Sequence, residues 1–354
     1  MRIALLGVGL IGGSIGLAAR EHVGAEVVGF DPDPGVLDAA RGRGAVDAVA
    51  NSVAGALEGA GACFACAPVG ALPQLVAEAL EAAPADCLVT DVGSAKRAVV
   101  AAISDERFIG GHPVAGSEAA GVENARADLF QAAAWYLTPG PRSSGILYER
   151  LHGLLVTLGA RPVAIDPETH DRLLATVSHV PHVLANVLVS RAAAKRDVQL
   201  PWVGPSFRDV TRVAGSNPAI WTDIYMANAE TIADELEATA ADLGDVAGRL
   251  TAGARDEIDA WHLAAREDRR RLLEAELAGG PVHELRVAVP NRPGVVAKLA
   301  LALGRGGVNI VDMALAPAPD YRSGAISFWV AGDESAARAT ELVEELGFPV
   351  VEEE

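Results

Sequence analysis

The sequence is poor in lysine, and its charge is strongly one-sided. Only three of its 29 basic residues are lysines (Lys96, Lys195 and Lys298), whereas 47 residues are acidic, so the formal net charge is −18. A chain this acidic repels the phosphates of nucleic acids and of anionic membranes, and we expect neither as a partner. Any anionic ligand must therefore be bound by a few local cationic side chains.

Cysteine is also scarce. Three cysteines are too few for a disulfide framework, which favours a reducing, cytoplasmic compartment. Cys63 and Cys66 form a CxxC pair, but no second pair of ligands accompanies it and both lie in an apolar run. We interpret them as buried core thiols and expect no metal site.

Long apolar runs are few. Residues 3–19 carry no charge, but the five glycines among them would weaken a signal or membrane helix. No other stretch is long and apolar enough to predict a membrane span. Half of the 354 residues are nevertheless apolar and 21% are charged, which excludes global disorder and predicts two or three folded domains.

Short apolar runs alternate with alanine-rich helical stretches up to about residue 166. This alternation predicts an α/β domain over 1–166, with a doubly wound, largely parallel sheet covered by helices on both faces. Asp166 before Pro167 predicts the N-cap of the next helix. The predicted strands are RIALL, AEVVGF, GACFACA, CLVTDV, RFIGG, AWYLTP and RPVAI.

An all-α domain is predicted over 167–278, because strand patterns vanish and apolar residues recur at helical spacing. Pro181 should kink its first helix. The Asn-Pro pair at 217–218 should begin a long helix that continues through Ile232, and residues 261–276 should form the last helix. Such helical domains often dimerise, although one apolar stripe does not distinguish a subunit interface from a core.

A third domain is predicted over 283–354, after an Ala-Gly-Gly-Pro linker at 278–281. Its pattern is strand, helix, strand, strand, helix, strand. This is the order of the ferredoxin-like βαββαβ fold.

The segment GVGLIG at 7–12 follows the first strand and opens a helix. Its glycines allow a tight turn, close approach of the backbone to a pyrophosphate and helix-against-strand packing. Asp31 ends the second strand, where a carboxylate accepts hydrogen bonds from the ribose of NAD and repels a 2′-phosphate. We predict NAD as the cofactor. NADP remains an alternative, because the cationic residues Arg41 and Arg43 follow Asp31 not far along the chain. The residues assigned to the cofactor are Gly7, Gly9, Leu10, Ile11, Gly12 and Asp31.

Two polar residues follow strands of the predicted sheet. The carboxyl ends of parallel strands meet at a ligand crevice, so His112 is placed to exchange protons beside the nicotinamide, and Ser94 should open onto the same crevice. Each has a second interpretation. His112 could be a turn histidine bonded to backbone, and Ser94 could be the N-cap of the following helix.

In the helical domain, Asp209 and Arg212 are three residues apart and share a helix face. They predict either a local ion pair or an arginine presented to a substrate carboxylate. His179 and His182 are also three apart. Without a third ligand nearby they favour packing or substrate contact over a metal site.

Several sequence segments resemble those of the prephenate dehydrogenase family, and their combination is specific to it. The resemblance covers essentially the whole chain. The C-terminal domain resembles an ACT domain, with Asn291 and Asn309 in the expected places. The matching segments are GVGLIGGS at 7–14, DVGSAK at 91–96, GGHPVAGSEAAG at 110–121, SHVPH at 178–182, FRDVTRVA at 207–214 and SNPAIWTDI at 216–224.

This resemblance implies a Rossmann domain and a cytosolic homodimer that converts prephenate, with NAD, to 4-hydroxyphenylpyruvate, carbon dioxide and NADH in tyrosine biosynthesis. It implies that His112 bonds the ring hydroxyl and that Ser94 helps to orient it. It further implies feedback by tyrosine, bound at Asn291 and Asn309, unless the ACT-like domain only dimerises. The substrate contacts implied are Arg212, Glu118, Asp209 and His179.

Three alternatives remain at this point. Arogenate dehydrogenase acts on the same ring with an alanyl side chain. A β-hydroxyacid dehydrogenase shares the layout but needs a catalytic lysine in the helical domain, where Lys195 is the only one. A sensor of NAD and an amino acid would bind both without turnover.

Overall fold

A computed structural model describes most of the chain. The Ala-Gly-Gly-Pro linker, Glu118, Lys195 and Asn291 lie outside the described residues, so the predictions that concern them stay predictions. The described ranges are 1–115, 120–194, 203–277, 282–290, 292, 294–317 and 323–351.

The N-terminal region contains an eight-stranded sheet. Its order is β3-β2-β1-β4-β5-β6-β7-β8, and all neighbours are parallel except β6 and β7, which are antiparallel. All seven predicted strands are confirmed, and a two-residue strand, β3, was not predicted. The strands are β1 Arg2–Leu6, β2 Glu26–Phe30, β3 Ala48–Val49, β4 Ala62–Ala65, β5 Leu88–Asp91, β6 Phe108–Pro113, β7 Ala134–Pro139 and β8 Arg161–Ala164.

Helices cover both faces of this sheet, as the continuous apolar runs predict. Side chains alternate along β1, so Ile3 and Leu5 pack into one apolar cluster while Ala4 and Leu6 pack into the other. The covering helices are α1 Leu10–Ala18, α2 Pro34–Arg43, α3 Val53–Leu57, α4 Leu72–Ala82, α5 Arg97–Ala102 and α6 Gly145–Thr157.

The following region is helical, as predicted. Asp166 is the N-cap, since its Oδ1 accepts the N–H of Thr169 at 3.1 Å. Pro181 lies one residue after the start of α8 and has no N–H to donate, and the turn before it, Ala175–His179, is a wider π-helical turn. The helices are α7 Pro167–Leu174, α8 Val180–Ala193, α9 Pro205–Thr211, α10 Pro218–Ala227, α11 Ala229–Ala252 and α12 Arg255–Leu277.

Two predictions for this region were wrong in detail. The long helix that begins at the Asn-Pro pair ends at Ala227, and a new helix begins at Ala229. The break falls at Asn228, whose buried side chain donates to the backbone carbonyl of Asp171 at 2.7 Å. The last helix begins at Arg255, six residues before the predicted start.

The segment Pro167–Ala193 corrects another expectation. By length and composition it could cross a membrane, although no such stretch was expected there. One helix of this kind is weak evidence, because core helices pass the same test. Its inner face carries His170, Asp171 and His179, all buried against neighbouring elements.

The C-terminal region forms a three-stranded antiparallel sheet in the order β10-β11-β9. Of the predicted final strand, the described residues up to 351 form a single bridge, between Val350 and Val287 of β9. The elements are β9 Val282–Pro290, α13 Val295–Arg305, β10 Ile310–Pro317, β11 Ser323–Ala331 and α14 Asp333–Glu345.

Helix α13 joins the C-terminal region to the N-terminal sheet. A Cβ at Gly304 would lie 2.1 Å from the carbonyl oxygen of Ala164 at the end of β8, so the two backbones are in direct contact. A Cβ at Gly145 would lie 2.6 Å from the side chain of Val296. The apolar residues of both regions form one continuous cluster.

Candidate active site

The glycine-rich loop forms a cradle at the N-terminus of α1. Gly7 has φ +97°, and a Cβ there would lie 2.2 Å from the carbonyl oxygen of Cys66. A Cβ on Gly12 would lie 2.1 Å from the carbonyl oxygen of Gly7. Gly9, the N-cap, has open space where a Cβ would be. These residues therefore fit a pyrophosphate held by backbone N–H groups.

Asp31 lies beside this cradle, at the end of β2. Its Oδ2 accepts the N–H of Val8 at 3.0 Å, which fixes the carboxylate over the loop. Asp31 also lines a cavity of about 800 Å³ that suits an adenosine. Neither Arg41 nor Arg43 lines this cavity, and Arg43 donates to the carbonyl of Ala125 at 2.7 Å instead. The residues thus favour NAD over NADP.

A cleft of about 420 Å³ continues from the cradle to the helical region. It brings Ser94 and His112 together with the glycine-rich loop, as predicted. Ser94 does not cap a helix, because α5 begins at Arg97 and Lys96 is its N-cap. The lining residues include Gly9, Leu10, Ile11, Gly12, Cys66, Ser94, His112, Ser216, Asn217 and Trp221.

His112 is held by a chain of side-chain hydrogen bonds that reaches the helical region. Its Nδ1 lies 2.9 Å from Nε2 of His170, and Nδ1 of His170 lies 2.8 Å from Oδ1 of Asp171. His170 and Asp171 are fully buried, and His112 is 8% exposed. The backbone N–H groups of Lys96 and Arg97 donate to the two oxygens of Asp171. The chain thus links the end of β6 to α7.

This chain fixes which nitrogen carries each proton. A carboxylate only accepts hydrogen bonds, so Nδ1 of His170 donates to Asp171. In neutral His170, Nε2 then carries no proton, and it accepts a hydrogen bond from the N–H at Nδ1 of His112. Nε2 of His112 is therefore unprotonated on a residue that lines the cleft. It can accept a proton from a ligand hydroxyl.

Both imidazoles are uncharged near neutral pH. Burial lowers the pKa of His112 well below its usual 6.5, and the interactions with His170, with the positive charge of Lys96 and with His179 lower it further. Burial also lowers the pKa of His170, against the opposing effect of Asp171. The site therefore presents a neutral acceptor rather than an imidazolium.

A second buried cluster positions the strands beside the cleft. The ammonium group of Lys96 pairs with Asp91 and donates to the carbonyl of Gly111 at 2.8 Å. Asp91 also accepts the N–H groups of Gly93 at 2.8 Å and of Gly111 at 3.1 Å. Removing either charge would leave the other buried without a partner. The pair ties the end of β5 to β6, one residue before His112.

The buried histidines predict acid sensitivity. Their pKa values are lowered by burial, so below pH 6.5 the unfolded chain binds more protons than the native one, and the free energy of unfolding falls as the pH falls. For His179, whose pKa is about 4 instead of 6.5, the free energy of unfolding at pH 4 is lower by about 3 kcal/mol. The histidines concerned are His112, His170, His179 and His182.

We expect the urea midpoint to fall steadily between pH 7 and pH 4.5, with a shallower fall in His179→Gln. The measurement is equilibrium unfolding at fixed ionic strength. A midpoint that is constant from pH 7 to pH 5 would contradict this prediction.

His179 and His182 support the wall of the cleft. The ring of His182 stacks on Trp221, with centroids 3.5 Å apart and an interplanar angle of 7°. His182 is also bonded to the hydroxyl of Tyr225. His179 is buried, edge-on to Trp221 at 6.2 Å, and its Nδ1 is 3.4 Å from Nδ2 of Asn228. Of this group only Trp221 is a lining residue of the cleft.

Asp209 and Arg212, predicted as substrate contacts, lie at the edge of this region. Asp209 is exposed on α9, and Arg212 is exposed at the start of the 3₁₀ turn Arg212–Gly215. Neither is a lining residue of the cleft, although the turn leads directly into Ser216, which is. Asn309, predicted to contact an effector, is exposed in the C-terminal region.

Cys66 corrects one further expectation. Cys63 is fully buried, as predicted, but Cys66 is half-buried and lines the cleft. Burial raises the pKa of both thiols, so they are protonated near neutral pH.

Sequence reasoning missed several residues of the site. They are His170, Asp171, Trp221, Asn228 and the Lys96–Asp91 pair. A histidine and an aspartate stand side by side just after the predicted N-cap at Asp166, which was the available signal. Nothing in their spacing connects them with His112, 58 positions earlier.

The fold and the cleft define a class of protein. A parallel sheet with a glycine-rich loop, a ribose-binding carboxylate and a neutral histidine facing a helical region are features of dinucleotide-dependent dehydrogenases.

Comparisons with known proteins narrow this class. Sequence models of the prephenate dehydrogenase nucleotide-binding domain and dimerization domain match residues 15–164 and 166–262. The prephenate dehydrogenase of Bacillus subtilis is 30% identical over 353 residues, which cover 97% of this chain and 95% of that protein.

Similar solved structures include a prephenate dehydrogenase and an arogenate dehydrogenase. Prephenate dehydrogenase from A. aeolicus, in complex with hydroxyphenyl propionate and NAD⁺, is 26% identical with a TM-score of 0.73, over 77% of this chain and 98% of that one. Synechocystis arogenate dehydrogenase is 26% identical with a TM-score of 0.68, over 77% of this chain and 100% of that one.

The chain belongs to the prephenate dehydrogenase family. It is accordingly an NAD-dependent oxidoreductase, and the glycine-rich loop and Asp31 are the residues that fit NAD. Neither domain model reaches β9 to α14.

Proposed function

We propose that the protein catalyses the NAD-dependent oxidative decarboxylation of prephenate to 4-hydroxyphenylpyruvate and carbon dioxide, in tyrosine biosynthesis. Its family supports the substrate. The observation that carries the chemistry is the unprotonated Nε2 of His112 on the cleft, beside the glycine-rich loop. When bound, NAD supplies the acceptor for the two electrons that the ring carbon loses.

His112 is the proton acceptor in this proposal. As the ring carbon is oxidised, its hydroxyl becomes a carbonyl and releases a proton, which Nε2 of His112 takes. The charge that develops on the imidazole is two hydrogen bonds away from the carboxylate of Asp171. Ser94, half-buried on the same cleft, helps to orient the hydroxyl. Aromatisation of the ring then drives the loss of carbon dioxide.

We assign the pyruvyl carboxylate of the substrate to Arg212. An arginine on the ring carboxylate that departs would stabilise the reactant more than the transition state and would slow this step. The pyruvyl carboxylate persists into the product, so binding it carries no such penalty. Glu118, Asp209 and His179 are proposed as further substrate contacts, from the family resemblance.

Arg212→Ala is expected to raise KM for prephenate roughly tenfold to a hundredfold, with a smaller change in kcat, because a charge-assisted contact made equally in the ground and transition states is lost. Steady-state kinetics at saturating NAD measure both constants. Arg208→Ala, which changes an exposed arginine four residues earlier, on α9, is the matched control. A rise in both KM and kcat would place Arg212 on the departing carboxylate, and a fall in kcat with KM unchanged would contradict this assignment, because it would indicate a contact made only in the transition state.

Arogenate is the second candidate substrate, since the Synechocystis enzyme with the same fold is an arogenate dehydrogenase. One assay separates the candidates. NADH formation is measured at equal concentrations of prephenate and arogenate, with NAD or NADP, with and without tyrosine. Turnover of prephenate with NAD is the expected result. Turnover of arogenate alone would establish the second candidate, and binding of NAD without turnover of either would indicate a sensor.

The domain limits and the assembly are part of the proposal. We place a nucleotide-binding domain at 1–166, a helical substrate and dimerisation domain at 167–278 and an ACT-like regulatory domain at 283–354. The antiparallel order of β9 to β11 supports the ferredoxin-like assignment, and tyrosine is its proposed effector. Cytoplasmic location stays a prediction. A homodimer is supported by large apolar side chains exposed on the helical region, among them Leu188, Leu243, Leu250, Leu263 and Leu272.

A further inference from the structure

Tyr136 lies directly across from His112 in the sheet. The two residues are opposite each other in the antiparallel pair of β6 and β7, so their side chains point to the same face. Tyr136 is half-buried, and it is not a lining residue of the active-site cleft. It therefore stands beside His112 without lining the space for a ligand.

The rings of Tyr136, His112 and His170 form one cluster on this face, which we call the ring cluster. The rings of Tyr136 and His170 meet edge to face, with centroids 5.5 Å apart and an interplanar angle of 83°. His112 and His170 are also edge to face, at 5.1 Å and 73°. The rings of Tyr136 and His112 are 6.4 Å apart and tilted by 42°. All three separations lie within the range of about 4.5–7 Å at which aromatic rings attract each other.

The hydrogen bond between His112 and His170 does not by itself fix the tilt of His112. Both nitrogens of His170 are bonded, one to His112 and one to Asp171, which fixes the plane of that ring. Within the described part of the chain, the ring of His112 makes one hydrogen bond, through Nδ1. The last torsion angle of a histidine has a broad minimum, so one bonded nitrogen leaves the direction of the other variable. A further contact is needed to aim Nε2 of His112.

Tyr136 supplies such a contact, and it also covers the hydrogen bond. His170 has no exposed surface and His112 is 8% exposed, whereas Tyr136 is half-buried. The tyrosine ring therefore covers part of the two imidazoles. We propose that Tyr136 is a positioning residue for the reaction: its ring limits the tilt of His112 and shields the bond between His112 and His170 from water. This inference rests on the proposed role of His112 as the proton acceptor.

Tyr136→Leu is expected to lower kcat about tenfold, because two ring contacts of ordinary strength are lost. KM for the substrate and the dissociation constant of NAD should change less than about twofold, since Tyr136 does not line the cleft. Tyr136→Phe keeps the ring and should retain kcat within about twofold of the parent. Steady-state kinetics and calorimetry with NAD give these constants.

Val163→Ala is the matched control, because Val163 is opposite Tyr136 on β8, one strand farther from His112. It removes packing beside the ring cluster but leaves the three rings in place, so kcat should be nearly unchanged. Two results would overturn the proposal. One is a loss of kcat in Tyr136→Phe as large as that in Tyr136→Leu, and the other is a loss of that size in Val163→Ala.

A double variant tests whether Tyr136 acts through the bond to His170. This bond is absent in His170→Leu, so adding Tyr136→Leu should lower kcat further by less than about threefold. A residue that only fills space would instead lower kcat by about tenfold in both backgrounds, and that result would overturn the proposal. Thermal unfolding and NAD binding show whether each variant is folded.

A measurement without turnover separates this proposal from the proposed function. In protein labelled with ¹⁵N-histidine and saturated with NAD, the nitrogen chemical shifts of His112 show which nitrogen carries the proton. The signal of His112 is identified by its absence in His112→Asn. We expect a protonated Nδ1 and an unprotonated Nε2 in the parent and in Tyr136→Phe. In Tyr136→Leu, water competes for the N–H at Nδ1, and we expect the shifts of the two nitrogens to move towards each other.

Unchanged shifts in Tyr136→Leu would overturn the proposal, whichever substrate the protein converts. The expected shifts together with no turnover of prephenate would refute the proposed function instead, and Tyr136 would still be a residue that orients His112. The failure of one proposal is therefore distinguishable from the failure of the other.

Discussion

Replacing His112 by asparagine is expected to lower kcat by roughly 10²- to 10⁴-fold, because the site then lacks the acceptor for the hydroxyl proton. Asparagine keeps a polar group of similar size at the end of β6, so the strand should retain its hydrogen bonds. The dissociation constant of NAD should be nearly unchanged, since the residues of the cradle and Asp31 do not involve His112.

Two measurements complete this test. NAD binding, followed by calorimetry, shows whether the variant keeps an intact nucleotide site. Steady-state rates with prephenate then give kcat. An undiminished kcat would remove His112 from the role of base, and loss of NAD binding together with activity would indicate a folding defect.

Replacing His170 by leucine is expected to lower kcat roughly 10²-fold with little change in KM for prephenate. His170 is a positioning residue. Its Nε2 accepts a hydrogen bond from the N–H at Nδ1 of His112, and Nε2 of His112 therefore stays unprotonated. Leucine leaves that N–H without an acceptor in a buried place, and either nitrogen of His112 can then carry the proton. In the serine-protease triad, replacing the aspartate that orients the catalytic histidine lowers kcat by about 10⁴-fold.

His170→Gln is the matched variant, because its side-chain oxygen can accept the N–H of His112. We expect it to retain activity within about tenfold of the parent, since the hydrogen bond is kept while the link to Asp171 is weakened. Steady-state kinetics on both variants give the comparison. Equal losses in His170→Leu and His170→Gln would show that the hydrogen bond accepted from His112 is not the contribution of His170 to kcat.

Local patterns were sufficient to predict the framework of this protein. Strands such as RIALL are short apolar runs next to glycine-rich turns, and their strand period and burial follow from neighbouring residues alone. The N-cap at Asp166 and the turn at Gly7 are also local, since each depends on a hydrogen bond or a backbone angle within a few residues. These predictions were confirmed for that reason.

The unpredicted parts depend on contacts that are distant in the chain. The helix is interrupted at Asn228, whose side chain donates a hydrogen bond to the carbonyl of Asp171, 57 residues away. The partner of His112 is 58 residues away on another helix. Sequence reasoning placed Ser94 and His112 on one cleft from the topology of parallel sheets, but topology does not specify which side chain meets which.

The contact between Gly304 and Ala164 has a consequence for how the protein unfolds. The two backbones are in contact there, and the apolar side chains of Leu155 and Leu299 belong to the same cluster. Removing the C-terminal region would therefore expose apolar surface on the part of the protein that remains. Heating should therefore melt both regions in a single step. An excised catalytic fragment would be prone to precipitation, however complete its own cleft.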